Sequence, residues 1–322
     1  MTTEKVFNWL GGMAIGLGWA IALSALTTQL ALAQDTPTPS SPAQSLNFLQ
    51  AVILGAVQGL TEFIPISSTA HLKAVPVFLG WGDPGVTFTA VIQLGSIAAV
   101  LWYFWADIVH LSFGAWTALQ KKNYQATDLR IAVGIAVGTL PIVFFGLLLK
   151  ALVPDLDNSP IRSMTAIAIA SIIMGLLLGF AEKLGSRLRG FDKLGTKDGI
   201  IMGVAQTLAL IPGVSRSGST ITAGLFFGLE RATAARFSFL LGIPAITLAG
   251  LVQLKTDVID AGVSGANLMP LIVGTISSAI FSYLAIAWLI RYLQRQSTWV
   301  FVWYRVIFGV FILGGVGLGW FI

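Results

Sequence analysis

Apolar residues in this chain gather into long unbroken blocks, without the alternating polar face of a soluble amphipathic helix. The blocks at about 86–117, 131–152, 161–181, 237–254, 269–290 and 299–321 each predict a membrane span, because ~20 apolar residues cross the hydrocarbon. The first is long enough for a long or tilted span. Two further apolar segments, 48–80 and 199–229, are broken at their middles by proline and serine: FIPISST (Phe63–Thr69) and IPGVSRSGS (Ile211–Ser219). Proline removes a backbone donor and disfavours helix in the residue before it. Irregular backbone at membrane depth is tolerated only inside protein or beside a wet cavity. Each broken segment is therefore expected to be a re-entrant hairpin of two short helices. The predicted fold class is an all-α polytopic membrane protein with six transmembrane helices and two re-entrant hairpins.

Composition agrees. Of 322 residues, 56% are hydrophobic and 10% charged, against roughly 25% charged in a soluble domain. The absence of cysteine excludes disulfides, thiolate metal sites and a cysteine nucleophile. A net charge of +5 raises the question of nucleic acid, but the basic residues fall in the gaps between apolar blocks. Membrane topology accounts for them, and no nucleic-acid partner is expected. Lys121, Lys122 and Arg130 share one gap, and Lys183, Arg187, Arg189, Lys193 and Lys197 another. Arg231 with Arg236, then Arg291 with Arg295, complete the set. The intervening gaps VPDLDNSP and KTDVIDAGVSGANL hold none and one. Six spans place every basic cluster in the cytoplasm if the mature N- and C-termini both lie outside it. Residues 1–33 read as a signal peptide or an anchor helix, with Ala31 and Ala33 shaping a cleavage-like site. Residues 34–45 read as a Pro/Ser-rich disordered linker, leaving 46–322 as the membrane domain.

The two broken segments echo each other. Gly55-Ala-Val-Gln58 matches Gly203-Val-Ala-Gln206, Pro65 pairs with Pro212, and Ser67 follows Gln58 at the interval by which Ser215 follows Gln206. Three predicted spans separate the segments, so they enter from opposite sides: an inverted repeat, 46–182 and 199–322, with broken helices meeting near the midplane. Such a plan predicts a central polar site and also raises a transporter or lipid flippase for an anionic substrate.

Ionisable groups inside a membrane are costly and point to function. Glu62, His71 and Arg216 belong to the hairpins, while Lys73 is read as snorkelling or drawing anions. His110 is read as interfacial or structural, and Asp107 and Arg305, nearer span ends, as structural. Arg216 beside a helix start adds a bidentate fork for phosphate or carboxylate, with hydroxyls at Ser215, Ser217, Ser219 and Thr220 as added donors. Ser68 and His71, three apart, are expected on one helical face, as nucleophile and base or with the imidazole itself attacking. Glu62 is read as orienting His71, acting as a base, holding a divalent cation, or pairing with Arg216.

QGLTEFIPISSTAH and PGVSRSGST resemble, in order, the two signature motifs of the undecaprenyl-diphosphate phosphatases of the BacA type. The resemblance runs from about Leu46 to the end. It implies a bacterial plasma-membrane phosphatase that removes one phosphate from undecaprenyl diphosphate, yields the carrier lipid for cell-wall synthesis and confers bacitracin resistance on overproduction. It implies a divalent cation, magnesium or calcium, as cofactor, and a polyprenyl diphosphate as substrate; a second copy of the chain is a further candidate partner. By motif position it makes Glu62, Ser68, His71 and Arg216 catalytic, and Gln58, Ser67, Thr69, Ser215, Ser217 and Thr220 substrate-binding. Gln58 stands where the motif admits Glu or Gln and is no charged metal ligand, which leaves Glu62 as the candidate. The nucleophile stays open among Ser68, His71 and water.

Overall fold

The computed structural model describes residues 46–153, 159–255 and 268–321. The segments read as a signal or anchor and as a linker lie outside the described residues. The first hairpin is α1 (Phe48–Phe63) and α2 (Ser68–Phe78). Then come α3 (Val86–Tyr103), α4 (Trp105–Gln120), α5 (Thr127–Leu152) and α6 (Met164–Leu184). The second hairpin is α7 (Thr196–Gln206), prolonged by a 3-10 turn at Thr207–Leu210, and α8 (Arg216–Phe226). The chain finishes with α9 (Arg231–Gln253), α10 (Leu268–Leu293) and α11 (Trp299–Gly317). Among the described residues six helices are long and apolar enough to cross a membrane: α3, α5, α6, α9, α10 and α11. This is an all-α polytopic membrane protein.

The hairpin helices are too short to cross. At 1.5 Å per residue, the 16 residues of α1 and the 11 of α2 rise about 24 and 16 Å, against ~30 Å of hydrocarbon. One expectation changes: the block 86–117 is not one span. Eighteen residues already make α3 long enough, and the chain bends at Phe104 (φ −97°, ψ 14°). Beyond the bend Asp107 is drawn to Arg236, Leu111 joins the main core, and Ala115 and Ala118 bury against the start of α5. The fourth span also starts earlier than its apolar block, at Arg231, because its basic residues are matched by Glu182 and Asp107.

Each hairpin packs on the other half of the molecule: α1 runs along α10, and α7 along α5. Small residues make these crossings close. Gly55 and Gly59 lie against Gly274 and Ser278, and Gly134 and Gly138 against Gly199 and Gly203. The two mouths lie at opposite ends of α6. Lys73 of α2 donates to the carbonyl of Arg162 just before α6 (3.2 Å), whereas the mouth of the second hairpin, joined by the Arg189–Leu229 bridge, lies beside Leu184.

The gaps rich in Lys and Arg converge at that latter end. Thr196 Oγ1 donates to the carbonyl of Arg130 (3.1 Å), and Arg189 grips Asp198 with two bonds of 2.8 and 2.7 Å. Glu182, 3% exposed, collects Arg231 Nε on both oxygens (3.0 Å each) and the hydroxyl of Thr298 (2.9 Å). It joins the end of α6 to the positive starts of α9 and α11. Glu182→Ala leaves the Arg231 charge and the Thr298 donors without this acceptor. Since Arg231 is partly exposed, the low end of the usual cost for breaking a buried pair applies, about 3 kcal/mol. Reversible unfolding in mixed micelles is expected to show that loss of stability.

Candidate functional site

In both hairpins the second helix begins at a serine in the left-handed region. Ser67 has φ 77° and Ser215 φ 73°, the two serines that stand at matching intervals after Gln58 and Gln206. The echo in sequence is thus an echo in backbone. Such a conformation costs on the order of 1–3 kcal/mol in a residue with a side chain and clusters at functional turns. Gly213 precedes with φ +92° and sits against the carbonyl of Ile167, where a Cβ has no room.

The next residue in each hairpin opens the second helix: Ser68 in one, Arg216 in the other. Both line one cavity of about 190 Å³, together with Glu62, Ser67, Thr69 and Ser215. Glu62 organises it. The Ser68 hydroxyl donates to Glu62 Oε2 at 2.7 Å, and Gln58 Nε2 donates to the same oxygen at 3.3 Å. Arg216 Nη2 stands 3.5 Å from Oε1, with the two side chains 8% and 10% exposed. The alternative reading of Glu62 as partner of Arg216 therefore holds alongside its contact with Ser68.

Arg216 has unspent donors. Its Nε and both Nη atoms are buried and find no hydrogen-bond partner among the described residues. A desolvated guanidinium with open N–H groups is strongly unsatisfied, and its planar fork fits phosphate oxygens. Space for it is made on α9: a Cβ on Gly242 would overlap the guanidinium itself. The start of α2 adds to this field. Ser67 makes no side-chain cap bond, while Ser215 Oγ accepts from the amide of Gly218 (3.2 Å). The first turn of α2 thus keeps its amides for an anion, and that of α8 is partly closed on itself.

Other expected site residues lie behind the wall. Ser217 is fully buried and donates toward the carbonyls of Glu62 and Ile64 (3.5 and 3.4 Å), tying the hairpins together. Thr220, also fully buried, bonds the carbonyl of Arg216 (2.8 Å) and Ser238 Oγ (2.5 Å). Gln58 is held from behind by Ser96 (3.4 Å), which meets Ser278 and Ser282 at 3.0 and 2.9 Å.

His71 is not brought to Ser68. Its Nδ1 lies 2.7 Å from the carbonyl of Ser67, so that nitrogen donates, and Nε2 accepts from the Tyr304 hydroxyl at 2.6 Å. The ring stacks on Phe308 at 4.2 Å. The i,i+3 spacing does not impose a shared target here. Ser68 opens the helix and swings back to the end of α1, while His71, one turn on, reaches the carbonyl four residues behind it. Lys73 is spent on Arg162, and His110 lies 3.7 Å from Asp128 at the surface.

Arg305 was read from the sequence as structural, without its partners. It is fully buried beneath both turns. The available signal was a guanidinium in the body of an otherwise apolar span.

A polytopic membrane protein that aims two broken helices and an unsatisfied guanidinium into one cavity handles an anionic group within the bilayer. The chain belongs to the family described as bacitracin resistance protein BacA, whose model it matches over residues 51–311. It is 62% identical over 309 residues to the undecaprenyl-diphosphatase of Trichormus variabilis, covering 94% of this chain and 96% of that one. It is 66% identical over 275 residues to the undecaprenyl-diphosphatase of a Synechocystis species, covering 85% and 84%. A match to the enzyme of that name from a Synechococcus species is 55% identical over 261 residues, covering 81% and 91%.

Proposed function

We propose that the chain is an integral-membrane phosphatase that hydrolyses undecaprenyl diphosphate to undecaprenyl phosphate and phosphate. One observation carries the reading: a serine hydroxyl bonded to a carboxylate shares a cavity with a guanidinium whose donors are unspent. The terminal phosphoryl group binds between Arg216 and the open start of α2. Ser68 Oγ attacks the terminal phosphorus as its proton passes to Glu62, and the P–O bond to the lipid monophosphate breaks. Arg216 stabilises the charge that develops. Glu62 passes the proton taken from Ser68 to the departing lipid monophosphate and is again the base when water attacks the phosphoserine. The Ser68 oxygen takes the proton back from Glu62 as its P–O bond breaks, releasing phosphate. The Ser68–Glu62 bond favours this order over attack by His71, both of whose nitrogens are engaged. His71 is read as a positioning residue that holds the turn through the carbonyl of Ser67. Ser67, Thr69 and Ser215 meet the phosphate oxygens, while Gln58, Ser217 and Thr220 steady the residues that do.

A divalent cation fits this donor set. Magnesium and calcium take hard oxygen ligands and accept a single protein carboxylate when the substrate brings phosphate oxygens. Glu62 and the amide oxygen of Gln58 would hold it, and it would supply neutralisation of the diphosphate.

The depth of the cavity along α6 supports a site that opens to the outside. The Arg305 bond to the carbonyl of Ser171 marks its level, seven residues from Met164 and thirteen from Leu184. That is about 10 Å from one end and 20 Å from the other. The nearer end is the one poor in Lys and Arg. We read the protein as lying in the bacterial plasma membrane with both mature termini and the site mouth outside the cytoplasm. Overproduction then gives bacitracin resistance.

The test is phosphate release from undecaprenyl diphosphate by purified protein in detergent, with and without a chelator. One phosphate per lipid, suppressed by chelator and restored by magnesium or calcium, is the expected result. Folded protein that releases none, yet exchanges the lipid between leaflets of vesicles, would replace the phosphatase reading with the flippase one.

A further inference from the structure

Two turns of non-helical backbone between short helices leave carbonyl groups with no partner in a helix of their own. Satisfying them is the central problem of a re-entrant hairpin. In this molecule one side chain serves both turns. Arg305, on α11, donates from Nη1 to the carbonyl of Pro65 in the first turn (3.0 Å) and from Nη2 to those of Gly213 and Val214 in the second (2.8 and 3.0 Å). Its Nε donates to the carbonyl of Ser171 on α6 (3.1 Å). All four acceptors are backbone oxygens and none is a carboxylate. The guanidinium is fully buried, the largest such side chain among the described residues.

We infer that Arg305 is a positioning residue for the proposed phosphatase reaction: it fixes the two hairpin turns against each other and so sets Ser68 opposite Arg216. The inference rests on the reading of the cavity given above. The reach is short on both sides. Pro65 stands three residues before Ser68, and Gly213 and Val214 immediately precede Ser215 and Arg216. The two groups sit on helices of different hairpins, and Arg305 is hydrogen-bonded to both turns that carry them. Its planar fork spans carbonyls from two turns with separate nitrogens, which an ammonium on a flexible stem does not reproduce. The positive charge is retained in the site because its acceptors are dipoles, so it adds to Arg216 in favour of an anionic substrate.

The test uses Arg305→Lys in the full chain, with steady-state kinetics and hydrogen–deuterium exchange of the folded protein in detergent. A misplacement of reacting groups by about 1 Å costs on the order of 10²-fold, so kcat and kcat/KM are expected to fall together by about that factor. Amide exchange is expected to quicken in peptides covering 61–70 and 211–220, and not in α3 or α10. Gly218→Ala crowds the same contact from the other side, since its Cβ would lie 3.2 Å from Arg305 Nη1 as well as 3.1 Å from Ser215 Cβ. A smaller loss of the same pattern is expected, and this variant carries the test if Arg305→Lys does not fold. Wild-type kinetics in either folded variant would overturn the inference. So would exchange that rises evenly throughout the molecule, which marks a general role in stability. Absence of phosphate release from the wild type would instead sink the function on which the inference rests.

Discussion

Arg216→Ala is expected to lower kcat/KM for undecaprenyl diphosphate by about 10³-fold, measured as phosphate release at fixed detergent and lipid. The magnitude follows from removing a preorganised charge from a desolvated site, where one donor alone is worth 10²–10³ and a guanidinium contributes several. The geometry adds a sharper version. Arg216 is buried with an ion pair to Glu62 at 3.5 Å and no hydrogen bond among the described residues, in space left by Gly242 on a different helix. Gly242→Ala keeps every proposed catalytic group and adds one methyl group where the guanidinium lies. It is expected to reproduce most of the loss, about 10²-fold, while the fold persists because alanine suits the body of a helix better than glycine. Normal turnover in Arg216→Ala would dismiss the cavity as the reaction site. Normal turnover in Gly242→Ala alone would mean that the guanidinium works from another position.

Much of this site was legible because membrane proteins spend polar residues sparingly. Glu62 and Arg216 stood out as charges in apolar segments, and Pro65 and Pro212 marked the breaks that bring them together. The repeat was visible as letters, and Ser67 and Ser215 turn out to share a backbone conformation that letters do not specify. What sequence could not give was direction. Ser68 and His71 are three apart and compatible with mutual contact, but Ser68 turns back to Glu62 while His71 is held between the carbonyl of Ser67 and Tyr304 on the distant α11. Ser217 and Thr220 look like phosphate ligands in a row of hydroxyls, yet their helix turns them toward α1 and α9. Arg305 was read as structural, but its partners were hidden for a related reason. Its importance lies in carbonyls of two distant turns, and backbone oxygens carry no sequence signature. The bend at Phe104 was likewise hidden, since an apolar block records burial and not the direction of the chain. Residues 1–45 fall outside what the structure describes.

Glu62→Gln separates two roles that the structure gives to one carboxylate. The amide has nearly the same shape, and its one oxygen can still accept from either Ser68, which bonds Oε2 of the carboxylate, or Arg216, which faces Oε1, but it takes up no proton and carries no charge. If Glu62 is the base, kcat is expected to fall by about 10³-fold, within the range of general-base removal. The direction of the KM change is the informative part. Removing a negative charge beside an anion-binding guanidinium strengthens ground-state binding of a diphosphate, so KM is expected to stay level or drop. A carboxylate that served only to pin Arg216 gives the opposite pattern, because loosening the guanidinium weakens substrate binding first and raises KM with a modest change in kcat. The cation adds a third observable. If Glu62 also holds it, the concentration of magnesium or calcium needed for half-maximal rate rises in Glu62→Gln, and Gln58→Glu, which adds a second carboxylate beside the first, lowers it. A kcat loss with unchanged cation demand assigns Glu62 to proton transfer and leaves the cation to the diphosphate oxygens.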